Sequence, residues 1–379
     1  AWKAYLNKIE PADRTAMELA KKRWNSVAKP IGSLGILEED IIKIAGIRGN
    51  ASGMKLDRSA LAVMCADHGV VAEGVSQTGK DVTRIVAENF TKGETSTSKM
   101  CRISGTDLYP VDMGMDCGPT GQKEPDMHRI LDRKVARGSG NIAREPAMSR
   151  TGCLQALLSG IDLAFRLKEK GYEILAAGEM GIGNTTPAAA MSAVLTGLSP
   201  EEATGRGAGL SDAGLEKKKK AVEMAVSRFY EKYPEYRNGT KEQYESGELS
   251  AVTVLAELGG FDLAGMTGLF LGGAAAKIPV LMDGFLSTVS GLLAVLIRKE
   301  AKDYMLASHI STEPAGAAVL QMLDLPAPLH MGMHLGEGSG AVAMIPLLRM
   351  GAKVYEEMST FSDISVEQYV DYQEKGERP

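Results

Sequence analysis

From residue 59 onward the chain repeats one arrangement: a short apolar run, closed by an ionisable residue, then a longer amphipathic stretch. ALAVMCADHG closes at Asp67, LYPVDMG at Asp112, YEILAAGEMG at Glu179, IPVLMDG at Asp283, DYMLASH at His309 and LHMGMHLGEG at Glu337. Short apolar runs separated by helical stretches predict βαβ units and a mostly parallel sheet flanked by helices, an α/β fold. Ligands of such sheets bind outside the carboxyl ends of the strands. Acids, a histidine and glycines collect at those ends and are missing from the strand interiors, which points to an enzyme.

With 379 residues the chain has room for two domains, and at 44% hydrophobic it can bury a large core. Aromatics make up only 5%, against 43 Gly and 20 Met, so small and flexible apolar side chains must do much of the packing. A formal charge of −5 argues against a nucleic-acid binder. No apolar run reaches the roughly 18 residues of a membrane span, and the opening AWKAYLNKIEPADR has no signal-peptide core. Cys65, Cys101, Cys117 and Cys153 lie far apart with no CxxC pair, so they read as reduced thiols in a cytoplasmic protein.

Near the start, Pro11 can open a helix that continues through TAMELAKKRWNSVA to Val27. KPIGSLG breaks it, and ILEEDIIKIAGI begins another. EKKKKAVEMAVSRFYEKY (216–233) reads as a charged helix and the following PEYRNGTKEQYESGELS as a loop. The last thirty residues read as helical, then polar and frayed.

Several motifs carry two readings each. GVSQTGKD resembles a phosphate loop, but Asp81 replaces the Ser or Thr that would hold magnesium, so a turn is favoured. His330 and His334 are four apart, but Gly332 lies between them and no HExxH occurs, which disfavours a metal site. In AGEMGIGNTTPAAA, a strand runs into a helix with Thr185 or Thr186 as cap and Pro187 in the first turn. This is an ordinary connection or a phosphate or carboxylate site. Lys217 to Lys220 are a solvated face from which one lysine can still reach a phosphate. SHISTEPAG is an anion site or a helix-capping segment. GEGSGAVAM reads as a tight turn with Ser339 as cap, or as a bed of glycines that brings a planar substrate and a sugar phosphate close to Glu337.

KPIGSLGILE, VMCADHGVVAEGV, VARGSGNIAREPAMSR, GEMGIGNTTPAAA, GGFDLAGMTG, PVLMDGFLS, SHISTEP and HMGMHLGEGSGA, in order from about residue 5 to about 360, resemble the nicotinate-nucleotide:dimethylbenzimidazole phosphoribosyltransferases of cobamide (vitamin B12-type) biosynthesis. The resemblance implies transfer of ribose 5-phosphate from nicotinate mononucleotide to a lower-ligand base, with inversion at the anomeric carbon. It implies no metal and no cofactor, the mononucleotide being a substrate. It also implies a Rossmann-like sheet in a large domain (46–344), a small helical domain from both chain ends (1–45 and 345–379), and a dimer.

By the same resemblance Glu337 is the general base and Glu179 the second acid of the site. Met180, Gly181, Gly183, Asn184, Gly336 and Gly338, with Lys218 and Ser311, would hold the donor, and Asp262 and Asp283 would support the site. Thr78, Val86, Met180, His334 and Leu335 would form the acceptor pocket. Benzimidazole users of the family typically carry Ser and Gln where Thr78 and Val86 align, and Arg where His334 stands. Loss of that amide favours phenol or p-cresol over dimethylbenzimidazole as acceptor. Relatives with phenolic acceptors work as paired paralogous subunits, so the dimer is either a homodimer or such a heterodimer. A phenol of pKa about 10 would depend heavily on a base. A dehydrogenase would need GxGxxG with an acid about twenty residues on, which is absent. A non-catalytic subunit that completes a partner's site is the alternative, and the intact Glu337 and Glu179 argue against it.

Overall fold

A computed structural model describes residues 2–370. Six strands form one all-parallel sheet: β1 (Ser59–Ala66), β2 (Thr106–Gly114), β3 (Leu131–Asp132), β4 (Ile174–Met180), β5 (Val280–Met282) and β6 (Met305–Ala307). Their order is β3-β2-β1-β4-β5-β6, that of a Rossmann-type doubly wound sheet. β1 is buried along its whole length and apolar from Ala60 on, as a central parallel strand covered on both faces must be. Its register sets Cys65 beside Asp112 of β2 and Met64 beside Glu179 of β4.

One face of the sheet packs on the helices Arg150–Glu169, Thr185–Thr196, Asp212–Lys232, Ala251–Leu258, Phe261–Ala276 and Phe285–Ile297. The first and fifth of these approach so closely that a Cβ on Gly160 would come within 2.7 Å of the Leu269 amide nitrogen. Small residues thus replace aromatic bulk in this core. The other face carries helices from both chain ends, Arg14–Ser26, Ile36–Arg48 and Ser339–Glu357, with Trp24 edge-on to Tyr355 at 5.1 Å. Among the described residues no helix is long and apolar enough to cross a membrane.

Some local expectations change. The first long helix starts at Arg14, not Pro11, because the Asp13 carboxylate caps it by accepting from the Ala16 N–H at 3.0 Å. LHMGMHLGEG is not a strand: Leu329 makes one bridge to His309, after which Gly332, Gly336 and Gly338 take positive φ. The sixth strand is instead the two-residue β3, which has no apolar periodicity to announce it. The segment after Lys232 is partly helical, with Lys241–Ser246 held by a Thr240/Gln243 capping box. The frayed tail expected at 371–379 lies outside the described residues.

Candidate active site

Strand order reverses about β1 and β4, which opens a crevice at their carboxyl ends. A cavity of about 370 Å³ lies there, a size typical of small-molecule sites. Glu179–Thr185 at the carboxyl end of β4, Asp283–Ser287 after β5, and His309, Ser311 and Glu313 after β6 supply three walls. The turn His334–Glu337 and the loops at Val75–Thr78 and Arg206–Leu210 supply the rest. The last two loops are tied together by the Gln77 amide, which donates to the Gly209 carbonyl.

Glu337 answers why an acid is framed by glycines. Gly336, Glu337 and Gly338 have φ of +81°, +59° and +82°, three consecutive residues in left-handed backbone. For a glutamate this conformation is strained, by about 1–3 kcal/mol. A side chain at position 336 would strike the Glu179 carboxylate, and one at 338 would strike Leu61. A Cβ on Gly178 would come within 2.8 Å of the Glu337 carbonyl. The glycines therefore let two carboxylic acids share a wall.

The helix Ser339–Glu357 has no cap of its own. Ser339, expected to cap it, has a buried hydroxyl without a hydrogen-bond partner. Asp283 does the capping from across the sheet: its Oδ2 accepts from the Gly338 N–H at 3.0 Å and its Oδ1 from the Gly340 N–H at 2.7 Å. These donors suit a carboxylate better than a hydroxyl, because the helix N-terminus carries partial positive charge. Likewise, neither Thr185 nor Thr186 caps the helix they begin. Asn184 holds the N-cap position, and its side chain turns to the acids instead.

The two glutamates differ electrostatically. Burial, then the Asp262 charge, pushes Glu179 up to about 8 against the pull of the Asn184 amide. It therefore holds a proton at neutral pH. Burial also raises Glu337, opposed by Thr97. Glu337 Oε2 is buried without a hydrogen-bond partner. Two neighbouring carboxyls with different environments can serve as acid and base in one site.

A second cluster favours anions. Of the four consecutive lysines, Lys218 alone is fully buried; its Nζ donates to Thr185 Oγ1 at 2.8 Å and to the Gly205 carbonyl at 2.9 Å. Burial brings its pKa down to about 8, against the charge of Glu313. Glu313 Oε1 accepts from the Gly207 N–H at 2.9 Å, and its Oε2 is buried without a partner. A buried cation beside backbone N–H groups and a helix start suits a phosphate.

Of the residues singled out in the sequence, Glu179, Met180, Gly181, Gly183, Asn184, Asp283, Ser311, His334, Leu335, Gly336, Glu337 and Thr78 line the cavity. Lys218, Gly338 and Asp262 stand behind the wall, linked to it by the contacts above and by an Asn184–Asp262 bond of 3.2 Å. Val86 does not line it. It is half-buried on the helix Asp81–Lys92, against the same apolar cluster as Met180. Sequence reasoning missed Gln77, Arg206, Gly207, Glu313, Phe285 and Leu286 as lining residues. Gln77 and Glu313 fell inside quoted motifs, whereas the TGRGAG loop had only its glycines as a signal. Among the described residues no group of three or more His, Cys, Asp or Glu side chains could hold a metal ion.

Comparison with known proteins matches this geometry. A family model described as "Phosphoribosyltransferase" covers residues 9–366. The chain is 38% identical to the nicotinate-nucleotide–dimethylbenzimidazole phosphoribosyltransferase of Ruminiclostridium cellulolyticum, over 96% of this chain and 97% of that one. It is 39% identical to the protein of the same name from Acetivibrio thermocellus, with the same coverage. The crystal structure of CobT from Thermus thermophilus superposes with a TM-score of 0.83 at 37% identity, over 94% of this chain and all of that one. Sheet order, cavity and full-length similarity together place the chain in the nicotinate-nucleotide–dimethylbenzimidazole phosphoribosyltransferase family of pentosyltransferases.

Proposed function

We propose that the chain transfers ribose 5-phosphate from nicotinate mononucleotide to a cobamide lower-ligand base, giving an α-ribotide and nicotinate, with Glu337 as general base. The observation that carries this reading is that two carboxylic acids, Glu179 and Glu337, line one cavity, with the buried Lys218 close behind its wall through Thr185. The phosphate is received by Lys218, Ser311 and the backbone at Gly181 and Gly183. Nicotinate leaves as the anomeric carbon becomes oxocarbenium-like, and the negative charge of Glu337 favours that centre. The acceptor attacks the opposite face and loses its proton to Glu337, whose basicity is raised by burial. No metal or cofactor takes part.

For the acceptor, a phenol or p-cresol is preferred over dimethylbenzimidazole. What supports this is the apolar character of Met180 and Leu335 on the wall and the absence of an amide at position 86. Val86 does not line the cavity and packs on the same apolar cluster as Met180, so its influence is indirect and modest. The working unit is a dimer, homo- or heteromeric with a paralogous chain; Leu335, on the cavity wall, is 52% exposed, which favours a partner over it.

The deciding experiment gives the purified chain, alone and with a paralogue, nicotinate mononucleotide and in turn phenol, p-cresol, dimethylbenzimidazole and adenine. Nicotinate release with at least one acceptor is expected. Release with none, in either arrangement, overturns the reading.

A further inference from the structure

Behind the acids of the cavity wall runs a chain of side chains that ends on a histidine. The Asn184 amide nitrogen donates one hydrogen to Glu179 Oε2 and the other to Asp262 Oδ2, the latter at 3.2 Å. Asp262 Oδ2 in turn faces His68 Nε2 at 3.1 Å, and Asp262 Oδ1 accepts from the Leu263 N–H at 2.9 Å. Glu179 and Asn184 line the cavity, whereas Asp262 and His68 do not and are buried to 0% and 1% exposure.

Two details separate His68 from an ordinary core histidine. Its Nδ1 is buried without a hydrogen-bond partner, so the ring makes only the contact to Asp262. Buried polar atoms are normally hydrogen-bonded, so an unpaired one calls for a reason. The surroundings are also cut to fit: any side chain on Gly260 would strike the imidazole, and a Cβ on Gly181 would come within 2.9 Å of Asp262 Oδ2.

We infer that His68 is a positioning residue for the transfer reaction: through Asp262 and Asn184 it fixes the Glu179 carboxyl against the ribosyl site. The inference rests on the reading of Glu179 as the second acid. An amide shared between two carboxyl groups can swing toward either. By occupying Asp262, the imidazole leaves Asn184 one orientation, with a hydrogen on each acid. The charge of Asp262 is also the largest electrostatic contribution to the proton affinity of Glu179, with Asp283 and Glu337 as lesser ones. The charged groups near His68 are Asp262 and its chain neighbour Asp67.

The test compares His68→Leu and His68→Gln in the full chain. Gln keeps a donor at about the reach of Nε2 and Leu removes it. Expected for His68→Leu is a kcat lowered by about ten- to a hundredfold, with the donor KM within about twofold. The ionisation assigned to Glu179 in the pH profile should move, because the Asn184 amide is then no longer held between the two acids. His68→Gln should restore both. A pH profile unchanged in His68→Leu, or an equal defect in both variants, overturns the inference. If His68→Leu fails to fold, His68→Asn takes its place, since its shorter amide falls short of Asp262. A separate readout needs no turnover: titration of carboxyl-labelled glutamate by NMR in the ligand-free chain. A Glu179 midpoint moved in His68→Leu or His68→Asn supports the inference, and an unmoved one overturns it, even if the wild-type chain releases no nicotinate. That last result would count against the proposed reaction alone.

Discussion

Asp112 and Glu179 flank β1 at nearly the same height, paired in register with Cys65 and Met64, and both are buried. Asp112, on the β2 side, accepts from the Met115 N–H at 2.9 Å and from Thr120 Oγ1 at 2.7 Å, and has Lys134 Nζ at 3.2 Å. Asp67, at the end of β1, similarly accepts from the Asp116 N–H at 2.7 Å. Glu179, on the β4 side, has one amide donor and three acids around it. The same acid-ended strand thus gives loop scaffolding on one half of the sheet and a proton-holding site on the other. What distinguishes them is the supply of cations and N–H groups, which is set by segments distant in sequence.

The sharpest way to break this contrast is Glu337→Gln, which should lower turnover by at least about a hundredfold in a nicotinate-release assay while the melting temperature holds or rises. Glu179→Gln should reduce kcat by about tenfold or more and remove the ionisation near 8 from the pH profile. It should also flatten the pH dependence of stability. The folded-state pKa of Glu179 lies above its unfolded value of about 4.3, so its contribution is complete below that value and is lost as pH rises through about 8. Wild-type melting temperature should carry that decline, and Glu179→Gln should lack it. On the scaffold half, Asp112→Ala should do the converse: a loss of about 2 kcal/mol in urea unfolding, with turnover per folded molecule within about twofold. Smallest is Val86→Gln, expected to slow phenol turnover by only a few-fold, since residue 86 does not line the cavity. Equal rates would remove its part in acceptor choice.

The sheet was legible because five of its strands are apolar runs closed by an acid or a histidine, and burial of a parallel sheet demands such runs. LHMGMHLGEG shares that composition but not the backbone, since its glycines bend it into a turn. β3 escaped because two residues at a sheet edge need no pattern. Glu337 stood out by its neighbours. Lys218 did not stand out among four lysines, because which one faces inward depends on where the helix Asp212–Lys232 meets the loop at Gly205. The cap from Asp283 to Gly338 and Gly340 spans more than fifty residues and leaves no local trace. The chemistry-bearing residues were therefore readable one at a time, and their partners were not.

The mirror-handed backbone at Glu337 has a consequence for selection. A residue without a β-carbon would rest there comfortably, so Glu337→Gly should unfold at a higher temperature than the wild type while being inert. Drift toward sturdiness alone would erase this acid. Its presence in a chain of this family is therefore a sign that turnover, and not mere persistence of the fold, has been kept.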